Sequence, residues 1–200
     1  MFYSGVYKKT QQGVATIIII EKILSSARKM YQVCDIRKVT ISGSDDVLVN
    51  ELKNLSADIR FIRKKKVFSQ SGRPPKTTLT PPLFILASDS NSEEALSNVR
   101  ESNFSIEGLL YDNNDKWYKK DTTPLRYGCN YYVNPGDMSK TLLKTYENKR
   151  LQIDESVSFS DELKSDIQNT VADEPSGSEL IKALSLSVWF CERVRQIKRY

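Results

Sequence analysis

Residues 83–112 read LFILASDSNSEEALSNVRESNFSIEGLLYD, and this stretch decides the predicted fold. It opens with a continuous apolar run, as expected for a strand that is buried on both faces of a sheet. Polar residues from Ser88 to Glu94 then favour the start of a helix, and a second apolar run closes the stretch. A strand, a helix and a strand joined by short loops are typical of parallel pairing.

A second unit of the same kind is predicted just upstream. Residues 37–46 read as a strand followed by a helix start, residues 46–55 as the helix, and residues 57–65 as the next strand. The apolar spacing over residues 14–33 predicts a further helix, although its four consecutive isoleucines favour a strand locally. A short strand is predicted over residues 2–7.

These units predict an α/β fold, a mainly parallel three-layer sheet with the C-terminal helices packed on it. The alternative is an α+β mixed sheet with antiparallel pairs around residues 60–86 and 126–133. Residues 1–150 form the predicted α/β core domain, residues 151–177 a polar hinge or mobile segment, and residues 178–200 a C-terminal amphipathic basic helix. The length of 200 residues suits one domain with a small appendage.

The composition excludes several kinds of chemistry. The chain has no histidine, which rules out a Ser-His-Asp system, a Cys-His nucleophile and His-ligated zinc. The three cysteines are far apart, which predicts free thiols in a reducing compartment, with Cys34 and Cys191 buried in the core. The net charge of +5 favours anionic partners. Because neither a signal peptide nor a membrane-spanning run is recognisable, we expect an intracellular protein of the cytoplasm or nucleus.

Two basic stretches are candidates for nucleic-acid contact. The first reads as an exposed loop, and its cations are Arg60, Arg63, Lys64, Lys65, Lys66, Arg73 and Lys76. The second interleaves cations with aromatic rings, and its candidate residues are Lys116, Trp117, Lys119, Lys120 and Arg126. A charged strand edge or a nuclear-import address is the alternative for the first stretch, and ordinary sheet residues are the alternative for the second.

Carboxylates near the ends of predicted strands are candidates for an enzyme site. Asp45 and Asp46 follow one strand, Asp89 follows another, and Glu21 on the predicted first helix offers a further ligand. Open α/β sheets bind ligands beyond the carboxyl ends of their strands, and Mg²⁺ is held there by one or two carboxylates together with substrate phosphates. The alternative is that Asp45 and Asp89 cap the helices that follow them. A cofactor, Mg²⁺, is expected only with the enzyme hypothesis.

Residues 21–46, EKILSSARKMYQVCDIRKVTISGSDD, resemble ribonuclease H-like nucleases in the order of a helix and then a strand. That family places a glutamate on the helix and an aspartate at the strand end, so the resemblance implies a metal-dependent nuclease. The chain departs from the pattern at the first strand, where Tyr3-Ser4-Gly5 stands in place of an aspartate. Residues 87–91, ASDSN, are similar to the DxD motif of nucleotide-sugar transferases, but Asn91 replaces its last aspartate. We assign the chain to neither family on these short stretches.

The main hypothesis is a basic, non-catalytic binding or assembly protein that contacts nucleic acid or a complex containing it. The alternative is a Mg²⁺-dependent enzyme that acts on a nucleotide or nucleic-acid phosphate, nuclease-like or transferase-like, through Glu21, Asp45, Asp46 and Asp89. A protein-protein interaction module, such as a viral or host-modulating factor, fits the sequence as well as the main hypothesis does. The basic C-terminal helix also suits contact with an acidic membrane surface, and the oligomeric state stays open.

Overall fold

The computed structural model describes residues 2–24, 28–71, 83–100, 106–121, 129–170 and 177–194. Within these residues, eight strands form one sheet in the order β6-β7-β5-β4-β1-β2-β3-β8. The strands are β1 Phe2–Lys9, β2 Val14–Leu24, β3 Lys29–Thr40, β4 Leu83–Ser88, β5 Ile106–Tyr111, β6 Tyr118–Asp121, β7 Cys129–Val133 and β8 Leu151–Ile153. The helices are α1 Asp46–Ser71, α2 Glu93–Arg100, α3 Pro135–Glu147, α4 Ser160–Asn169 and α5 Glu179–Arg193.

The sheet is mixed, and β1 lies at its centre. This strand pairs in parallel with β4 and antiparallel with β2. Parallel pairs also join β4 to β5, β5 to β7 and β3 to β8, whereas β2–β3 and β6–β7 are antiparallel. The predicted mixture of helices with a mainly parallel sheet is therefore confirmed in outline, and the antiparallel arm β1-β2-β3 is an addition that the sequence analysis did not foresee.

Helices cover both faces of the sheet, because successive side chains of a strand point to opposite faces. Phe2 and Val6 pack with residues of α1 and α2, whereas Tyr3 and Tyr7 belong to the core formed with α3, α4 and α5. Gly5 lets α5 approach β1 closely, since a Cβ atom at this position would lie 1.9 Å from a carbonyl oxygen of α5. Two apolar cores, one on each face, thus hold three layers together.

The long helix predicted over residues 14–33 is wrong, because this range forms β2 and the beginning of β3. Ile17 and Ile19 belong to one apolar core, and Ile18 and Ile20 belong to the other. Four β-branched residues with both faces buried suit a strand inside a sheet. This tertiary requirement outweighs the helical spacing of the segment.

The second predicted β-α-β unit is wrong in its last part. Helix α1 continues to Ser71, so residues 57–65 are helical and the basic loop predicted from residue 60 onward is helical up to that point. No glycine or proline interrupts the segment, and its many Lys, Arg, Leu and Gln residues favour a helix. The residues placed on the α1 backbone are Arg60, Arg63, Lys64, Lys65 and Lys66, whereas Arg73 and Lys76 lie outside the described residues.

The unit predicted over residues 83–112 is confirmed as β4, α2 and β5, with the two strands parallel. Strand β7 and helix α5 also occur within the ranges predicted for them. Helix α3 begins at Pro135, with Asn134 as its cap. Cys191 is buried as predicted, but Cys34 is exposed on β3. No helix within the described ranges combines the length and apolarity needed to cross a membrane.

Candidate active site

Strands β1, β4 and β5 are parallel, so their carboxyl ends meet at one edge of the sheet. Beyond this edge lies a cavity of about 290 Å³, which we call the strand-end cavity. Its polar lining residues are Tyr7, Asp89, Tyr111, Ser139, Lys182 and Ser185. Ligands of open α/β sheets bind in this position, so the strand-end cavity is the first candidate for a functional site.

Lys182, in the first turns of α5, supplies the cation of the strand-end cavity. Its Nζ donates to the Tyr7 hydroxyl oxygen over 3.3 Å and lies 4.9 Å from the centre of that ring. The nearby Glu179 pairs with Lys9 at 2.8 Å, and Lys182 forms no ion pair within the described part of the chain. Burial, and after it the positive charge of Lys9, lowers the pKa of Lys182. The cavity therefore contains a half-buried ammonium group that the carboxylates of Glu179 and Asp89 attract but with which, among the described residues, neither forms an ion pair.

Asp89 supplies the carboxylate of the strand-end cavity. Its Oδ1 accepts hydrogen bonds from the Thr10 backbone N–H over 2.9 Å and from the Ser88 hydroxyl over 3.3 Å. Burial opposes the charged form, but these hydrogen bonds outweigh it and lower the pKa of Asp89. The expected capping of α2 falls instead to Ser92, whose hydroxyl oxygen accepts from the Ala95 N–H over 3.2 Å. Asp89 is thus an ionised group that holds the turn after β1.

Hydroxyl groups complete the lining. Burial, and then the negative charge of Asp89, raises the pKa of Tyr7. Burial also raises the pKa of Tyr111, so both phenols keep their protons at neutral pH and can donate hydrogen bonds. The Ser185 hydroxyl oxygen is buried and finds no hydrogen-bond partner among the described residues. The lining thus offers an ammonium group and several hydroxyl groups as hydrogen-bond donors.

A second cavity, of about 560 Å³, lies on the opposite face of β1, beside the start of α1. Lys8 reaches into it, and its Nζ lies 2.6 Å from Oδ1 and 2.7 Å from Oδ2 of Asp45. Asp46, the next residue, accepts from the Ser44 hydroxyl over 2.7 Å. The Asp45 carboxylate is therefore already paired with a lysine, and it does not act as the expected cap of α1.

The structure does not bring the four carboxylates of the enzyme hypothesis together. Asp45 and Asp46 line the cavity beside α1, whereas Asp89 lines the strand-end cavity. Glu21 lies on a strand instead of the predicted helix and pairs with Phe2, at the opposite end of β1. Within the described ranges, no group of three or more Asp, Glu or Cys side chains could hold a metal ion. A divalent ion in the strand-end cavity would have Asp89 as its one described carboxylate ligand.

The second basic stretch lies at the edge of the sheet, on and before β6. Trp117 is 38% exposed and packs edge-on against Trp189, with ring centres 5.8 Å apart. Tyr118 stacks on Tyr132 at 4.7 Å. The cations on or beside this strand are Lys116, Lys119 and Lys120, whereas Arg126 lies outside the described residues. Contact of this surface with nucleic acid stays a prediction.

A third cavity, of about 340 Å³, lies between α3 and α5 and is called here the α3–α5 cavity. Its charged lining residues are Asp137, Lys140, Lys144, Arg150, Glu192 and Arg193. Ion pairs join Arg150 to Glu192 at 3.0 Å and Arg193 to Asp137 at 2.6 Å. Four cations and two carboxylates line the α3–α5 cavity, so the charges of its lining sum to a positive value.

Sequence reasoning missed Tyr7, Lys182 and Ser185 as candidates. One signal for Tyr7 was available, since residues 2–7 are predicted as a strand and ligands bind at strand ends. No sequence signal points to Lys182 or Ser185, because both lie within an apolar helix whose register against β1 is set by tertiary packing.

No protein-family model matches the chain, and no curated protein matches it. Among solved structures, the chain is similar to the human cytomegalovirus terminase nuclease domain, with a TM-score of 0.50 and 11% identity over 96% of this chain and 86% of that chain. A structure of RuvC from Thermus thermophilus has a TM-score of 0.40 and 11% identity over 96% of this chain and 93% of that chain. The likeness to the terminase domain shows a shared fold.

This shared fold contradicts the main hypothesis of a non-catalytic binding or assembly protein, because the similar structure is the nuclease domain of a terminase. The comparison agrees better with the alternative hypothesis than with the main one. The basic composition could not separate the two, since a binding protein and an enzyme that share a polyanionic partner both benefit from positive charge. The order of a helix and then a strand, on which the resemblance of residues 21–46 to ribonuclease H-like nucleases depends, is wrong, because Glu21 lies on β2 and residues 29–40 form β3.

Proposed function

We propose that this chain is a nuclease-like enzyme that acts on phosphodiester bonds of nucleic acid at the strand-end cavity. One observation carries the proposal: a cavity containing Lys182 and Asp89 lies at the carboxyl ends of parallel strands, in a fold shared with a nuclease domain. Nucleic acid is the proposed partner, and an intracellular site of action follows from that substrate.

The side chains of the strand-end cavity suit phosphoryl transfer. Catalysis of this reaction depends on positioning and on neutralising the negative charge of the phosphoryl oxygens. The Lys182 ammonium group is the charge available for this role, and the Tyr7 hydroxyl can donate a hydrogen bond beside it. Because its pKa is low, Asp89 stays ionised and is suited to orienting an attacking water molecule.

The proposed path of the nucleic acid includes the edge at β6. Trp117 and Tyr118 present partly exposed rings, on which unpaired bases can stack. Lys116, Lys119 and Lys120 lie in the same segment and can contact backbone phosphates. We also propose that the basic residues of the second half of α1 contribute to this binding; they are Arg60, Arg63, Lys64, Lys65 and Lys66.

The test is a cleavage assay with the full chain on end-labelled single-stranded, duplex and branched DNA and on RNA, each with Mg²⁺, with Mn²⁺ and with EDTA. We expect cleavage of at least one substrate, reduced tenfold or more by Lys182→Gln and by Asp89→Asn. Lys53→Gln and Asp115→Asn, at exposed positions outside the cavity, are the matched controls and should cleave as the unmodified protein does. Intact probes in every condition would overturn the proposal.

A further inference from the structure

Lys182, the cation of the strand-end cavity, forms no ion pair within the part of the chain that the structure describes. Lys182 is half-buried, and its one described hydrogen-bond acceptor is the neutral Tyr7 hydroxyl. Keeping an ammonium group away from water without a counter-ion is unfavourable, and proteins normally pair such a group. A bound anion would supply the missing charge.

A second observation is independent of the charge. Ser185 is 3% exposed and lines the same cavity, and its hydroxyl has no hydrogen-bond partner in the described part of the chain. Leaving a buried hydroxyl without a hydrogen-bond partner is unfavourable. A ligand oxygen in the cavity would accept a hydrogen bond from this hydroxyl and remove this cost.

The other charged groups at the cavity do not fill this role. Glu179 is paired with Lys9 at 2.8 Å. Asp89 attracts the Lys182 charge, but its Oδ1 is held by the turn after β1, where the Thr10 N–H donates to it over 2.9 Å. The ammonium group of Lys182 and the hydroxyl groups of Tyr7 and Ser185 can donate hydrogen bonds, which suits a ligand with several acceptor oxygens and negative charge.

We infer that the strand-end cavity binds a phosphate group of nucleic acid directly, through Lys182, Tyr7 and Ser185, without an intervening metal ion. Phosphate oxygens form strong hydrogen bonds with charged and hydroxyl donors, and the cavity of about 290 Å³ accommodates a phosphate group with part of its nucleoside. The assignment to nucleic acid rests on the proposed function. Three sources offer this phosphate group: the terminal phosphate of a strand, a backbone phosphodiester and a free nucleotide.

The test is isothermal titration calorimetry in EDTA with inorganic phosphate, thymidine 5′-monophosphate, the dinucleotide TpT and its 5′-phosphorylated form. We expect binding of at least one phosphate probe and none of thymidine. Lys182→Gln should weaken the affinity for the phosphate probe tenfold or more, and Ser185→Ala and Tyr7→Phe should each weaken it threefold or more. Tighter binding of the 5′-phosphorylated dinucleotide than of TpT identifies the terminal phosphate as the preferred source, and equal binding identifies the backbone.

Ser187→Ala is the matched control, because Ser187 is also a buried hydroxyl of α5 without a described partner but does not line the cavity. It should leave phosphate affinity unchanged. Ser185→Ala should weaken binding while the free protein stays at least as stable, a combination that a merely structural role would not produce.

Absence of binding to every phosphate probe in EDTA, or unchanged affinity in both Lys182→Gln and Ser185→Ala, would overturn the inference. Cleavage that needs Mg²⁺ together with no binding in EDTA would leave the proposed function standing and refute this inference. Binding in EDTA together with no cleavage of any substrate would leave this inference standing and refute the proposed function.

Discussion

Lys8 and Asp45 form an ion pair of 2.6 Å whose side chains are only 9% and 12% exposed. The pair joins the last part of β1 to the segment that leads into α1, and so it fixes the helix against the sheet. Asp45 was a candidate metal ligand from sequence, but in the structure both of its oxygens face the lysine. The carboxylate therefore stabilises the fold at this position.

Removing one partner of this pair should destabilise the protein strongly. Lys8→Met leaves a buried carboxylate without a cation, for which we expect a loss of about 3–5 kcal/mol in the free energy of unfolding. The double substitution Lys8→Met with Asp45→Leu should recover most of that loss, because it removes both charges. Urea unfolding measures this, with Lys53→Met as the exposed control; a loss below about 1 kcal/mol for Lys8→Met would contradict the expectation.

Gly5 should not tolerate a side chain. A Cβ atom there would lie 1.9 Å from the Ala183 carbonyl oxygen and 2.6 Å from the Ser187 hydroxyl oxygen, so α5 would have to move away from β1. We expect Gly5→Ala to cost more than about 2 kcal/mol. Gly43→Ala is the comparison, since that site is open but has a φ of +77°, and about 1–2 kcal/mol is expected for the backbone strain. Thermal unfolding that ranks the two variants in the opposite order would refute the steric explanation.

Asp89 should contribute to the pH dependence of stability. Its pKa is lower in the folded protein than in the unfolded chain, so its stabilising effect is present above the ordinary aspartate pKa of about 4 and is lost as the pH falls through the lower folded value. Asp89→Asn should therefore flatten the decline in stability on acidification below about pH 5. Ser88→Ala removes one of the hydrogen bonds to this carboxylate and should flatten it less. Chemical unfolding at several pH values measures both; an unchanged acid profile of Asp89→Asn would be inconsistent with this assignment.

The α3–α5 cavity should contribute to nucleic-acid affinity through its positive charge. Reversing two charges by Lys140→Glu and Lys144→Glu should lower the affinity about tenfold or more at low salt and reduce the slope of log affinity against log salt by about 2. Fluorescence anisotropy across a salt series measures both quantities. The matched control reverses two lysines elsewhere, Lys53→Glu and Lys164→Glu, and should have a smaller effect. Equal losses in the two double variants would show that overall charge, rather than this cavity, is responsible.

The parts of the fold that could be predicted are those in which local pattern and tertiary environment agree. The stretch 83–112 is an example, since an apolar run, a polar helix start and a second apolar run become β4, α2 and β5. Over residues 14–33 the two conflict. The spacing of apolar residues predicts a helix, whereas burial of Ile17 and Ile18 on opposite faces of the sheet requires a strand.

The candidate site was predictable only in part. Asp89 could be found because a carboxylate directly follows an apolar strand. Lys182 and Ser185 could not be found, because they are about a hundred residues further along the chain and reach the cavity only when α5 packs against β1. A helix of largely apolar residues gives no sign of which polar side chain will face a strand end.

The sequence by itself determined that catalysis does not involve histidine and that the chain is basic. It also determined the β-α-β unit at residues 83–112. Tertiary structure alone decided that Lys8 neutralises Asp45, that Glu21 lies at the far end of β1, and that Lys182 meets Tyr7. The physical reason is that local patterns record which side chains are apolar, whereas a site depends on strand order and helix register, which are set by packing between distant parts of the chain.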